Sequence, residues 1–306
     1  LINRHGADSL RFTLISMSAP GRDVKLSEER VEGYRNFLNK IWNAHNFSKL
    51  NKCVFINKIK SKNIQLDINK WIYFELVKTN EIAKIHISNF RFDEAAKVIY
   101  HFVWHYYCDW YIEFLKPIFD VNEKKSIKES RNFSSFIQSN IFIMLHPFIP
   151  FITEKLWLDL KLNKKLKSPL MYKNWDLPFK PDSSYKKSHA KIDWLIQLIT
   201  SIRSTKVDLE VSPGAYIDLS LESLTKDKIK LINNNLNVFK RLGRITNIQN
   251  FKSNKKNVKI IVGIDTVSLY FDKDINLEEQ KLKITNKVNN LIKKISSFKS
   301  KLKNKS

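Results

Sequence analysis

Glu32-Gly33-Tyr34-Arg35-Asn36-Phe37-Leu38-Asn39-Lys40-Ile41-Trp42-Asn43-Ala44 is the stretch whose reading decides the fold. Val31, Tyr34, Leu38, Ile41 and His45 recur at spacings of three and four, which is one face of an α-helix. Glu32, Asn36, Asn39, Lys40 and Asn43 fall opposite. Ser27 is the expected N-cap, and Glu28 and Glu29 suit the positive end of the helix dipole. A helix with one apolar stripe needs partners to cover it.

The flanking sequence supplies them. Residues 7–16 predict a short helix, followed by a loop at Pro20-Gly21. After a Lys-rich loop at 49–63, Asp67 is expected to cap a helix over 68–88. Asn89-Phe90-Arg91-Phe92-Asp93 reads as a turn, with Asp93 capping a helix over 94–116. That helix is apolar on most faces (Val98, Phe102, Val103, Tyr107, Trp110, Phe114), so it is expected at the centre, and Pro117 is expected to end it. Residues 120–132 read as charged loop and 133–145 as helix. His146-Pro147-Phe148-Ile149-Pro150-Phe151 interrupts, and Thr153 restarts the helix through Trp157.

Beyond a Pro-containing linker the pattern changes. A helix over 192–205 precedes Pro213-Gly214 and the alternating, strand-like 216–221. A helix over 226–242 and strand-like segments at 245–251 and 258–271 complete a small α/β unit. In the last segment Leu277, Ile284, Val288, Leu291, Ile295, Phe298 and Leu302 form a heptad seam, broken at Lys281, on a helix rich in lysine. The expected class is mainly α, an antiparallel helix bundle followed by the α/β unit and a coiled-coil helix. The expected segments are 1–24, 25–165 (bundle), 166–190 (linker), 191–274 (α/β unit) and 275–306 (first half of a coiled coil).

Composition agrees and narrows the classes. Six Gly and eight Pro against 20 Phe, 10 Tyr and 7 Trp favour long helices over a turn-rich β fold. Two cysteines, Cys53 and Cys108, form no C-x-x-C pair, which argues against a disulfide framework or Cys-based zinc site and fits a reducing compartment. No apolar run approaches the ~20 residues of a membrane span, and no signal peptide is seen, so a cytoplasmic protein without a membrane partner is expected. The net charge of +24 invites a nucleic-acid partner through counterion release. Its carriers are mostly Lys beside abundant Asn and Ile, a pattern that AT-rich coding also produces.

No G-x-G-x-x-G, P-loop, H-E-x-x-H or nucleophile elbow occurs, so neither a catalytic residue nor a metal ligand is expected. His101 and His105 have ligand spacing but no Cys or acidic partner between them, and a structural role is expected. Asp109 and Glu113 are expected to bind Arg or Lys from a neighbouring helix, and Cys108 to be an inert core thiol. Trp104, Tyr107, Trp110, Tyr111 and Phe114 read as core aromatics rather than a base-stacking platform. Phe37 lies roughly 80° off its helix's stripe at about 100° per residue, beside Arg35, Asn36, Asn39 and Lys40. That leaves two readings open: an aromatic that stacks an unpaired RNA base, or an edge-of-core residue.

The order of residues carries more. Asp8-Ser9-Leu10-Arg11-Phe12-Thr13-Leu14, Gly21-Arg22-Asp23-Val24-Lys25-Leu26-Ser27 and Glu32 to Ala44 resemble the region of valyl-tRNA synthetases that follows the Lys-Met-Ser-Lys-Ser loop. Asn89 to Ala96, Cys108-Asp109-Trp110-Tyr111-Ile112-Glu113 and His146 to Trp157 resemble the anticodon-binding bundle of class I synthetases. Leu198-Ile199-Thr200-Ser201-Ile202-Arg203-Ser204 with Pro213-Gly214 resembles the start of the family's C-terminal region. The resemblance implies a fragment lacking the catalytic and editing domains, with no cofactor of its own, while the parent would use ATP and Mg to attach valine to tRNA. Its implied partners are a valine-accepting tRNA and the missing catalytic half, with the chain monomeric. It implies tRNA contacts from Arg35, Asn36, Phe37, Asn39 and Lys40 on the anticodon side. Lys287, Lys293, Lys294 and Lys301 would follow the elbow. Another branched-chain synthetase, isoleucyl or leucyl, and a basic helical protein-interaction module are the alternatives.

Overall fold

Helix α3 (Glu28–Leu50) buries Val31, Leu38, Ile41, Ala44 and His45, the stripe its spacing predicts. The computed structural model describes residues 1–303 except 22, 54–58, 121–122, 161–167, 222, 249–256 and 272–276. Contacts divide the chain into two compact units, Leu1–Asp193 and Trp194–Ser306.

The first unit is a helix bundle. It contains α1 (Ile2–His5), α2 (Ala7–Met17), α3, α4 (Asp67–Ser88), α5 (Phe92–His101), α6 (Ile112–Asp120), α7 (Lys124–Leu145), α8 (Pro150–Leu160) and the start of α9 (Ser183–Asp208). Between α5 and α6, Phe102–Tyr111 is π-helical. This wider helix buries Phe102, Val103, Tyr107, Cys108 and Tyr111 but leaves Trp104 and Trp110 half-covered and His101 and His105 exposed. The segment is therefore not enclosed on every side, as its hydrophobicity suggested. Burial of Phe114, Leu115 and Pro117 holds a further turn past the proline, so the helix ends at Asp120 rather than before Pro117.

At two helices, α8 and α4, the starts differ from expectation because the carboxylates that satisfy them come from elsewhere in the chain. Pro150 takes the first position of α8, where its missing N–H costs nothing. The next two amides, Phe151 N and Ile152 N, donate to Asp8 Oδ1 and Oδ2 at 3.4 and 2.7 Å. One turn along α2, Arg11 donates to the carbonyls of Pro147 and Phe148. Burial raises the Asp8 pKa, opposed by those two backbone bonds and by the Arg11 charge.

At α4, Glu129 Oε1 accepts from Gln65 N (3.0 Å), Leu66 N (2.9 Å) and Asn69 Nδ2 (2.9 Å). Asp67, the expected cap, is the first helical residue and accepts instead from Ser188 Oγ (2.6 Å) and Lys191 Nζ (3.1 Å). Asp93 lies inside α5, where the Arg91 guanidinium grips both its oxygens at 2.9 Å and holds its pKa at about 2. Residues 124–132, expected as loop, are the first turns of α7: Ser130 is small and polar but fully buried. Residues 168–182 lie on the bundle as a strap. Tyr73 Oη donates to Phe179 O at 2.6 Å and their rings stack at 4.5 Å, while Asn80 Nδ2 donates to Trp175 O at 2.9 Å.

The second unit carries a four-stranded sheet in the order β2 (Ile245–Ile248), β1 (Ile217–Ser220), β4 (Asp265–Tyr270), β3 (Asn257–Val262). β1 runs parallel to β2 and antiparallel to β4; β3 and β4 form a hairpin through Gly263, whose φ of 63° suits the turn. The parallel crossover uses α10 (Lys226–Asn234) and α11 (Leu236–Gly243), not the single helix expected over 226–242. Asn235 divides them, its side-chain amide donating to Leu231 O at 2.9 Å in competition with the backbone.

At the end of α11, buried Lys206 donates to Gly243 O (3.0 Å) and Ala215 O (2.8 Å), and burial followed by the charges of Arg244 and Arg203 lowers its pKa to about 8. Trp194 Nε1 donates to Asp265 Oδ2 at 2.8 Å, and Lys228 lies 4.0 Å over the Trp194 ring. Helix α12 (Leu277–Lys303) leaves Val288, Leu291, Ile295, Phe298 and Leu302 exposed, so the apolar seam is uncovered among the described residues.

Glu129→Ala is expected to lower the unfolding free energy by about 1–2 kcal/mol, the scale of a lost cap with buried donors. Urea denaturation followed by circular dichroism measures it, and an unchanged midpoint would remove Glu129 as the cap of α4.

Candidate nucleic-acid interface

Since α3 packs against the bundle by one stripe, the residues opposite it are left to solvent. Arg35, Asn36 and Asn39 are all exposed. Lys40, next to them, is turned inward at its tip: Nζ lies 2.5 Å from Asp109 Oδ1 and 3.9 Å from the centre of the Trp104 ring. Asp109 thus meets a lysine of a neighbouring helix, as its position predicts, whereas Glu113 is bound by Lys116 one turn on. His105 Nδ1 also lies 3.4 Å from Asp109 Oδ2, so that carboxylate faces both Lys40 and His105.

Phe37 is different. It is 0% exposed, with ring centroids 4.7 Å from Tyr100, 5.4 Å from Phe12 and 6.2 Å from Trp104. Of its two readings, the geometry matches the core residue, because no ring face is left for a base. Phe12 of α2 and Tyr100 of α5 cover the ring, so its position off the stripe does not leave it at the surface. An exposed aromatic does stand on this helix. Trp42 is 39% exposed, flanked by Asn39 and Asn43, and lies about 140° round from Phe37 at 100° per residue. The signal for it was already present, since Trp42 falls outside the Val31–Tyr34–Leu38–Ile41 stripe.

In the second unit Lys293 and Lys294 are exposed on α12, while the side chains of Lys287 and Lys301 lie outside the described residues. α12 belongs to the second unit and α3 to the first. Among the described residues no group of three His, Cys, Asp or Glu could hold a metal ion, and no helix is long and apolar enough to cross a membrane. The His101 and His105 rings lie 4.8 Å apart, and burial, then the neighbouring His105, lowers the His101 pKa. His45, buried against Gln138 Oε1 at 3.2 Å, is likewise lowered by burial. Among the described residues, the outer side of α3 thus carries exposed Arg35, Asn36, Asn39 and Trp42 beside the Lys40–Asp109 pair.

Residues 69–221 match the anticodon-binding domain of tRNA ligase, half of the chain, and the chain belongs to that family. Along its full length it is similar to valine--tRNA ligases. That of Pelagibacter ubique (strain HTCC1062) is 43% identical over 100% of this chain and 34% of that protein. That of Rhizobium meliloti (strain 1021) is 36% identical over 93% of this chain and 30% of its own length. The Zymomonas mobilis subsp. mobilis protein is 39% identical over 81% and 28%. The chain therefore spans only about a third of the length of the curated relatives it matches.

Phe37→Ala is expected to lower the unfolding free energy by about 3–5 kcal/mol, the cost of an aromatic-sized cavity; a loss below 1 kcal/mol would return the ring to the surface. Burial pushes the Cys108 thiol up to about 12. Its native reaction with a disulfide reagent at pH 8 should therefore be negligible and should appear only on unfolding.

Proposed function

We propose that this chain is the tRNA-holding portion of a valine--tRNA ligase, an enzyme that attaches valine to its tRNA using ATP and Mg. The observation that carries this reading is the similarity to valine--tRNA ligases along the whole chain, joined to the anticodon-binding family match over residues 69–221. Activation and editing are assigned to the portion of the enzyme beyond the matched third, which is a partner of this chain. The chain itself acts by positioning. Binding energy realised far from the reacting atoms orients the acceptor end of the tRNA in the active site. The protein is assigned to the cytoplasm as a monomer.

In this reading the anticodon stem-loop lies on the outer face of α3. Arg35 offers a guanidinium fork to phosphate or base edges, and Asn36 and Asn39 offer amide donors and acceptors. Trp42 supplies the stacking plane that Phe37 does not, and Phe37 with the Lys40–Asp109 pair stiffens the helix from behind. Lys287, Lys293, Lys294 and Lys301 follow the phosphates of the tRNA elbow from α12.

A titration with valine tRNA, an anticodon-substituted version and an unrelated tRNA tests this. Preference for the native anticodon is expected to persist at physiological salt, and Trp42→Ala to weaken cognate binding by about 1–3 kcal/mol, the scale of one stacked base. Equal, steeply salt-dependent binding to all three would leave only a polycation and overturn the reading.

A further inference from the structure

We infer that His45 is a positioning residue for the outer face of α3, and that it holds that face only while its imidazole is neutral, so that acid loosens the helix. This rests on the tRNA reading and deepens it, because the face so controlled is the one assigned to the anticodon.

His45 lies one turn from Trp42 on the inner side of α3 and is 2% exposed. Its ring sits against α7 and α8. From α7, the Phe142 ring stands 6.0 Å away, and Gln138 Oε1 lies 3.2 Å from Nδ1. An amide oxygen only accepts, so Nδ1 carries the proton and Nε2 is bare in the neutral ring. Gln138 is fixed at its other end as well, its Nε2 donating to the Tyr107 hydroxyl at 3.3 Å and to Ser48 Oγ at 3.5 Å. One side chain of α7 thus ties two residues of α3, about a turn apart, to the π-helical segment. A leucine at position 45 would fill the apolar stripe but fix no such direction. A buried polar network specifies one arrangement of the elements it joins.

The weak side of the ring is Nε2, which makes no hydrogen bond. The Asp159 carboxylate of α8 lies 3.7 Å from it and is shared with Lys49, 3.6 Å away. Asp159 and Lys49 are the charges that act on the ring, and they oppose one another. Tyr107 and Cys53 in the same cluster stay uncharged, since burial pushes the hydroxyl up and the thiol up to about 12. Burial outweighs the pull of Gln138 and Asp159 and holds the His45 pKa below its ordinary 6.5. The unfolded chain therefore takes up the proton before the folded one does. Stability present above pH 6.5 is lost as the pH falls below it. The charged ring is relieved by opening the contact between α3 and α8 so that Asp159 or water reaches Nε2, and α3 then loses its fixed seat.

The test compares the full chain with His45→Asn, whose amide nitrogen replaces Nδ1–H and does not titrate. From pH 7.5 to 5.5 the parent's unfolding constant should rise about five- to tenfold more than the variant's, the effect of one proton bound near 6.5 by the unfolded chain. Burial also lowers His101 and His146, and the difference between the two chains removes their share. Over the same range the parent should lose its preference for valine tRNA over an anticodon-substituted version, and the variant should keep it. Should the variant not fold, an NMR titration of the parent should show the His45 ring as the Nδ1–H tautomer, titrating below 6.5. Equal pH dependence in the two chains, a ring titrating at or above 6.5, or a parent preference that survives pH 5.5 overturns the inference and leaves the tRNA reading intact. A parent with no anticodon preference at pH 7.5 overturns the tRNA reading itself.

Discussion

One turn of α2 holds the bundle's far corner together. Asp8 and Arg11, three residues apart, present an acceptor and a donor to the same turn between α7 and α8, the acceptor meeting free amides and the donor meeting free carbonyls. Both sets of backbone groups lie where neither helix can satisfy them. Neither polarity alone would suffice, since a buried helix end left half-unpaired costs about as much as a lost hydrogen bond per group. Placing α2 there also places Phe12, which covers Phe37 and Tyr100 and so fixes the inner face of α3. The outward direction of Arg35, Asn36, Asn39 and Trp42 follows from that packing.

The same principle explains what the sequence could and could not tell. Helix identities were legible where apolar residues recur on one face, and α3 and α4 lie close to the expected spans for that reason. Helix starts were not, because a cap was sought among immediate neighbours. Glu129 serves α4 from more than sixty residues away in sequence, and Asp8 serves α8 from more than a hundred, so no local rule could find them. Ser27, the best local candidate, occupies the N-cap position of α3 without a side-chain cap bond, while Glu28 beside it pairs with Arg4 and His5. A small buried polar residue was misread similarly: Ser130 looks like loop chemistry but is a packing position in α7.

At the candidate interface, charge and polarity were legible and depth was not. The exposed Arg35, Asn36 and Asn39 follow from helical spacing alone. Whether Phe37 or Trp42 meets solvent depends on how many helices press on α3, a tertiary fact. For α12 the seam was legible because heptad spacing is local. The π-helical segment was not, because no side-chain pattern separates it from a helix of ordinary pitch, and it turns Trp104 toward Lys40 rather than into a closed core.

The Asp8–Ile152 bond has a consequence for synthesis. A ribosome delivers α2 first and the amides it must satisfy some 144 residues later. For that interval at about 5–20 residues per second, α2 has no partner for its carboxylate, and Phe12 has no Phe148 to rest against. The bundle's first corner is thus finished among its last, so the aromatic side of α3 stays open to water until most of the unit has emerged.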